Sequence, residues 1–146
     1  MIGFWRTWLN GWCAVVALFG ILLAGGAAEA TSGPVRALLD LLNGPELLVI
    51  DGPMRFALAV LGAVTIGWSL TLYAAIDAAR RLGPAGGPIW RMILASALVW
   101  FVIDSALSMA TGFSLNLIPN TLFVAGLIAP LAAGGVLRPS TAQALP

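Results

Sequence analysis

The residues best suited to chemistry in this sequence surround Asp104, which lies inside the apolar run 92–113. An apolar run of about 20 residues is long enough to cross a bilayer. A carboxylate near the middle of such a helix costs about 2.5–3.5 kcal/mol on insertion scales. Asp104 is therefore expected to be neutral, paired, or directed toward a wet or protein-lined interior. In such an interior it could bind a proton, a cation or a ligand headgroup.

The face of the helix that carries Asp104 differs from the opposite face. At 100° per residue, the opposite face is wholly apolar and suits contact with lipid. The sequence therefore predicts that Asp104 points into a helical bundle. The residues within about 60° of it are mostly small, polar or aromatic: Ala97, Trp100, Phe101, Leu107, Ser108 and Thr111.

Neighbouring segments offer partners for this carboxylate. Arg55 opens the second apolar run, and Asn120 opens the fourth, close to Asn116 in a short turn. Two interpretations follow: Arg55 and Asp104 form a structural ion pair, or Asp104 binds a proton, a cation or a headgroup. Because an arginine is available, the structural pair is favoured. The predicted site, which lies under the outer membrane surface, comprises Asp104, Arg55, Ser108, Thr111, Asn120 and Trp100.

Composition excludes most other kinds of site. The 146 residues contain no histidine, no lysine and one cysteine, Cys13. An intrachain disulfide, a Cys/His zinc site, a His-ligated haem and a Ser-His-Asp triad are therefore impossible. No second carboxylate lies within an apolar run, which argues against hydrolytic chemistry. We predict a protein that is not an enzyme, has no metal or cofactor, and, with a net charge of +1, binds no nucleic acid.

The elements that position Asp104 are apolar helices. The chain is 60% hydrophobic and 9% charged, with a mean hydropathy of +1.00, whereas soluble domains are about 25% charged. The lipid bilayer is therefore its expected solvent and partner. Four apolar runs predict helices at about 8–28, 55–77, 90–112 and 120–137 of a single transmembrane domain, 1–146. The predicted fold class is all-α, an integral membrane four-helix bundle.

The first outer loop, 29–54, is predicted to contain one more helix. Ser32 or Thr31 is suited to cap its start, Pro34 to occupy its first turn, and Asn43-Gly44 to end it. Between these signals, four apolar residues recur at helical spacing. A short amphipathic helix on the membrane surface or across the mouth of the bundle is expected. Its apolar residues are Val35, Leu38, Leu39 and Leu42.

Arginine placement predicts the orientation in the membrane. With both termini inside, five arginines lie inside and only Arg36 and Arg55 lie outside. The positive-inside rule then favours a multi-pass protein of a bacterial inner membrane with cytoplasmic N and C termini. A rival interpretation treats the first run, followed by Ala28-Glu29-Ala30, as a cleavable signal peptide, which would leave three helices. The inside arginines are Arg6, Arg80, Arg81, Arg91 and Arg138.

Small residues predict where the helices touch, because membrane helices associate through close backbone approach. In the second helix the small residues recur at every fourth position, and Gly20, Ala24 and Ala28 repeat that spacing in the first. In the fourth helix, Pro130 removes a backbone hydrogen bond. The predicted contact stripe of the second helix is Ala59, Ala63, Gly67, Thr71 and Ala75.

Two segments resemble a known family. An arginine opens a Gly-containing helix at 55–62, and the third helix ends in Ser108-Met109-Ala110-Thr111-Gly112. In this layout the chain resembles the small four-helix bacterial inner-membrane proteins described as DoxX-like. The resemblance implies the four-helix architecture; many such proteins have no assigned activity.

Three functions are weighed for such a bundle. We expect a non-enzymatic accessory or small-ligand- or lipid-binding component, alone, as a homo-oligomer or in a larger membrane complex. The alternative is a proton- or cation-coupled transporter subunit that uses Asp104. A membrane enzyme or quinone-linked subunit is disfavoured by the missing histidines and the single cysteine.

Overall fold

The computed structural model describes residues 3–43 and 48–136, which form helices and turns without a strand in these ranges. Four helices, with their adjoining turns, are long and apolar enough to cross a membrane. These two features of the predicted fold are confirmed. Among the residues that carry predictions, Gly44, Leu137 and Arg138 lie outside the described ranges. The long helices are α1 (Gly3–Ala24), α3 (Gly52–Arg81), α4 (Gly87–Ala110) and α5 (Leu117–Ala133), and α2 (Gly33–Asn43) is short.

The long helices begin about one turn before their predicted starts, and α3 shows how polar residues form its two ends. At the start of α3, the Asp51 carboxylate accepts a hydrogen bond from Met54 N at 2.9 Å, and Pro53 lies in the first turn. At its end, Arg81 Nε donates to Asp77 Oδ2 at 2.6 Å, an i, i+4 pair. In α3, a side-chain cap and a charged last turn therefore lengthen a helix whose apolar part was recognised from the sequence.

The long helices alternate in direction and form a ring in the order α1, α3, α4, α5. At the end of α3, the Arg80 guanidinium donates to Arg6 O at 3.4 Å and to Asn10 Oδ1 at 3.0 Å, both near the start of α1. α4 starts at this same end after a short turn. We call it the arginine-rich end; its arginines are Arg6, Arg80, Arg81 and Arg91.

The tightest helix contact joins α1 to α3 through two glycines. A Cβ placed on Gly62 would lie 2.6 Å from Gly20 O, and one placed on Gly20 would lie 2.9 Å from Gly62 O. The backbones therefore touch where no side chain fits. The stripe predicted for α3 is largely on the wrong face, because Ala63, Gly67 and Thr71 are exposed. Small residues occupy two faces of α3, and only the face that contains Gly62 contacts α1.

α1 is joined to α5 by two tryptophans. Trp8 Nε1 donates to Gly126 O at 2.8 Å, and Trp12 Nε1 donates to Phe123 O at 3.0 Å. Gly126 O has no i+4 amide donor in its own helix, since that position is Pro130. The indole of Trp8 therefore satisfies a carbonyl that the proline leaves free.

The short helix α2 lies at the end of the bundle opposite the arginine-rich end. Val35 is fully buried and packs with Leu23, Ile50 and Leu58. The helix also packs against the turns Gly25–Ala27 and Ser114–Asn116. The helix predicted in the first loop is therefore present, and it lies across the end of the bundle beside the α4–α5 turn.

Candidate polar site at Asp104

Asp104 lies on the buried side of α4, as the helical periodicity predicts. The buried residues Ile93 and Ala97 precede it on the same side, and Ser105 follows it. The side chain of Asp104 is half-buried. Six residues separate it from the end of α4 at Ala110, which is about 9 Å along the axis.

Two amide side chains donate to the Asp104 carboxylate. Asn120 Nδ2 lies 2.6 Å from Asp104 Oδ2, and Asn116 Nδ2 lies 2.9 Å from the same oxygen. The same two amides also donate to serines of α4: Asn116 to Ser108 Oγ at 2.9 Å and Asn120 to Ser105 Oγ at 3.3 Å. We call Asp104, Ser105, Ser108, Asn116 and Asn120 the polar layer.

Local sequence explains how these side chains meet. Asp104 and Ser108 are four residues apart on α4, and Asn116 and Asn120 are four residues apart across the start of α5, so each pair shares one helical face. Between them, Gly112 has φ +87°, a backbone conformation that L side chains rarely adopt. The reversal at Gly112 and the following turn bring the two faces together.

The predicted ion pair between Arg55 and Asp104 does not form. Arg55 Nη2 instead pairs with the Glu29 carboxylate, and its Nη1 donates to Gly26 O at 3.2 Å. Arg36 Nη2 also pairs with Glu29, at 3.1 Å. The first turn after α1, Gly25–Ala27, packs against α3, and Glu29 follows it closely enough to pair with Arg55. Arg55 therefore holds the turns after α1 to α3 and is not part of the polar layer.

Two other predicted site residues lie outside the polar layer. Thr111 is exposed, and its hydroxyl donates to Leu107 O of its own helix at 2.8 Å. Trp100 lies one turn from Asp104 toward the arginine-rich end, where its ring centroid is 5.0 Å from that of Phe123 and 5.8 Å from that of Trp68.

These rings belong to an aromatic cluster in which Trp12 is buried and Trp68, Trp100 and Phe123 are partly buried. Trp12 joins it through Phe123, with ring centroids 4.4 Å apart. We call Trp12, Trp68, Trp100 and Phe123 the aromatic layer. Farther along α5 toward the arginine-rich end, Leu127 and Leu131 are fully buried. The polar layer is therefore bounded on that side by tightly packed aromatic and aliphatic side chains.

Two members of the polar layer were absent from the predicted site. Asn116 had a signal in the sequence, since it precedes Asn120 by one helical turn and both flank a turn. Ser105 lies 100° from Asp104 on the helical wheel, outside the predicted stripe. It is buried because α4 contacts α5 on one side and α3 on the other.

Comparisons with known proteins were made for the whole chain. No protein-family model, no curated protein and no solved structure matches it. The resemblance to DoxX-like proteins therefore stays a prediction, and the chemistry of the site is argued from its own residues.

The hydrogen bonds of the polar layer leave three acceptors open. Within the described ranges, Asp104 Oδ1, Asn116 Oδ1 and Asn120 Oδ1 receive no hydrogen bond from the protein. Among the described residues, Arg80 Nε alone is a fully enclosed side-chain polar atom without a partner. The three oxygens are therefore not fully enclosed by the protein, and they can accept hydrogen bonds from, or coordinate, a ligand.

Proposed function

We propose that the protein is a small, non-enzymatic, multi-pass protein of a bacterial inner membrane that binds a small ligand at Asp104. The outward sides of its long helices are apolar: Leu18, Val64, Val102 and Leu122 are 61–68% exposed. Contiguous apolar surface of this kind suits lipid rather than water. The arginine-rich end is proposed to face the cytoplasm, with both termini.

The observation that carries the proposal is the lack of a basic partner for Asp104. Among the described residues, each ion pair of Arg36, Arg55 and Arg81 goes to another carboxylate. An ion pair between Asp104 and Arg55 would have given the carboxylate a structural role. Without that pair, a carboxylate inside an apolar span points to ligand or proton binding.

The residues of the polar layer support binding rather than catalysis. They supply one carboxylate, two amides and two hydroxyls. A nucleophile activated by a base, or a pair of titratable groups, is what acid–base or covalent catalysis requires. The polar layer contains neither arrangement.

A cation- or proton-coupled transporter is the second candidate, favoured by the same carboxylate. Transport requires the ligand to leave toward the opposite side of the membrane. The aromatic layer and the buried Leu127 and Leu131 lie between the polar layer and the arginine-rich end. That packing favours a binding site reached from one side, and a transporter would have to open it in each cycle.

Asp104→Asn tests the proposal against a structural role. Asparagine keeps the shape and can still accept hydrogen bonds from Asn116 and Asn120, while it removes the charge. We expect a stability equal to or above that of the wild type, because a neutral amide is less costly than a carboxylate in an apolar span. The measurement is equilibrium unfolding in mixed detergent micelles, followed by thiol labelling of buried Cys13.

Arg55→Gln serves as the comparison variant. It breaks the contacts with Glu29 and Gly26 O, and we expect it to lower stability by about 1 kcal/mol. Its effect should add to that of Asp104→Asn within about 0.5 kcal/mol, because the two side chains share no partner. A loss of more than about 2 kcal/mol in Asp104→Asn would contradict the proposal. Asp104-dependent ion flux in liposomes would favour the transporter.

A further inference from the structure

We infer that the ligand of the polar layer carries a single positive charge, as a monovalent metal ion or a protonated primary amine. This inference rests on the proposed function, since it specifies what the Asp104 site binds. It follows from the charge of the site, its open acceptors and its position in the bundle.

The charge of the site excludes an anionic ligand. Asp104 is the one ionisable member of the polar layer. Arg55, the arginine predicted to neutralise Asp104, pairs with Glu29 instead. The amide donors of Asn116 and Asn120 are already directed at Asp104 and the serines. A bound anion would therefore meet a carboxylate and find few free donors.

The open acceptors suit a cation or an ammonium group. Asp104 Oδ1, Asn116 Oδ1 and Asn120 Oδ1 receive no hydrogen bond within the described ranges. Each amide nitrogen is hydrogen-bonded to Asp104 Oδ2, and the oxygen and nitrogen of one amide are about 2.2 Å apart; each amide oxygen therefore lies within about 5 Å of that carboxylate oxygen. A primary ammonium has three N–H donors, which equals the number of open oxygens.

A divalent ion is disfavoured by the small number of carboxylates. Calcium takes about six to eight oxygen ligands, and magnesium is usually bound by one or two carboxylates together with phosphates and several waters; the polar layer offers one carboxylate and two amide oxygens. No group of three or more His, Cys, Asp or Glu side chains able to hold a metal occurs in the part of the chain described. One carboxylate with two amides balances one positive charge, not two.

The position of the site favours a ligand that enters from the α2 end. Asp104 lies about 9 Å from the end of α4, beside the turn Ser114–Asn116 against which α2 packs. The aromatic layer lies on the other side. A small cation from the aqueous phase or the amine of a lipid headgroup could reach the open oxygens from that end.

The test uses the full chain in nanodiscs of phosphatidylcholine, whose quaternary amine has no N–H donor. Sodium, potassium and methylammonium chlorides are compared with tetramethylammonium chloride at equal ionic strength. We expect at least one of the three cations to raise the melting temperature progressively with concentration, because a ligand that binds only the folded state stabilises it. Labelling of Cys13 should slow in parallel.

Two variants of the polar layer and one control variant assign the effect to the site. Asp104→Asn should lose the cation-dependent shift, whereas Asp40→Asn, which removes an exposed carboxylate of α2, should keep it. Asn116→Ala retains the carboxylate but lacks one acceptor oxygen, and it should need a severalfold higher cation concentration for the same shift. Asn116→Ala thus tests the amide oxygen while the carboxylate stays in place.

Phosphatidylethanolamine nanodiscs distinguish the source of the charge. Stabilisation by this lipid that depends on Asp104, without an effect of free ions, would identify a lipid amine. Equal responses of Asp104→Asn and Asp40→Asn, or no response to any cation or to this lipid, would overturn the inference. The stability of Asp104→Asn separates this failure from a failure of the proposed function. If the variant is as stable as the wild type, only the positive charge of the ligand is refuted. If the variant is strongly destabilised, the proposed function itself is refuted.

Discussion

Replacement of Trp8 by phenylalanine should destabilise the protein only while Pro130 is present. Trp8 Nε1 lies 2.8 Å from Gly126 O, a normal distance for an N–H···O bond. Gly126 O has no i+4 donor in α5, because Pro130 lacks an N–H. Trp8→Phe keeps an aromatic ring but removes the donor, which leaves this carbonyl without its partner from α1.

The expected size of this effect is modest. Hydrogen bonds contribute about 0.5–1.5 kcal/mol in soluble proteins, and polar contacts between membrane helices average about 0.6 kcal/mol. Trp8 is 44% exposed, so headgroups or water can partly replace its indole. We therefore expect a coupling energy of about 0.5–1 kcal/mol between Trp8→Phe and Pro130→Ala, since the alanine supplies an amide donor to Gly126 O.

A double-mutant cycle compares the wild type, Trp8→Phe, Pro130→Ala and the variant that carries both substitutions. Unfolding is followed in mixed micelles by labelling of Cys13, the single cysteine, which is buried in α1. Trp12→Phe is the matched control. Trp12 Nε1 also donates to a carbonyl of α5, Phe123 O, at 3.0 Å, but the i+4 donor of Phe123 O is Leu127, which has an N–H.

The control variant should therefore lose the same stability with or without Pro130. An equal cost of Trp8→Phe in the wild-type and Pro130→Ala backgrounds would refute the reasoning. That result would mean that Gly126 O does not depend on the indole of Trp8.

Three further predictions concern the helix contacts and the orientation. Gly62→Ala should lower stability by about 1–3 kcal/mol in the same unfolding assay, because its Cβ would meet backbone atoms of α1. Gly67→Ala has open space around its Cβ and should be neutral or stabilising by up to about 1 kcal/mol; equal losses in both variants would contradict the α1–α3 contact. Ser69→Ala removes a buried 2.7 Å bond to Cys13 O and should cost about 1 kcal/mol, and unchanged stability would argue against that bond. A periplasmic reporter fused to the C terminus should be inactive, and activity would reverse the proposed orientation.

Local sequence predicted the elements because their signals lie within one segment. The four apolar helices follow from run length and hydropathy, and α2 follows from helical spacing between a start signal and a stop signal. The inward face of Asp104 follows from helical periodicity alone. Even Gly126 O could be recognised as lacking a donor, since Pro130 follows it by four residues.

Contacts between residues of different helices could not be predicted in the same way. Arg55 lies at the start of α3, where either Asp104 or Glu29 was a possible partner. The choice depended on how the turns after α1 fold over α3. Small residues on α3 likewise offered two faces, and the contact uses the one containing Gly62 rather than the one containing Gly67.

The sequence by itself therefore determined the number of apolar helices, the short α2 and the side of α4 on which Asp104 lies. Only the tertiary structure decided that Asn116 and Asn120, and not Arg55, contact that carboxylate. The physical reason is that the distribution of apolar residues around a helix fixes which face suits lipid and which face suits the interior of the bundle. It does not fix the rotation and axial position of one helix against another, which depend on close contacts such as those of Gly20 with Gly62.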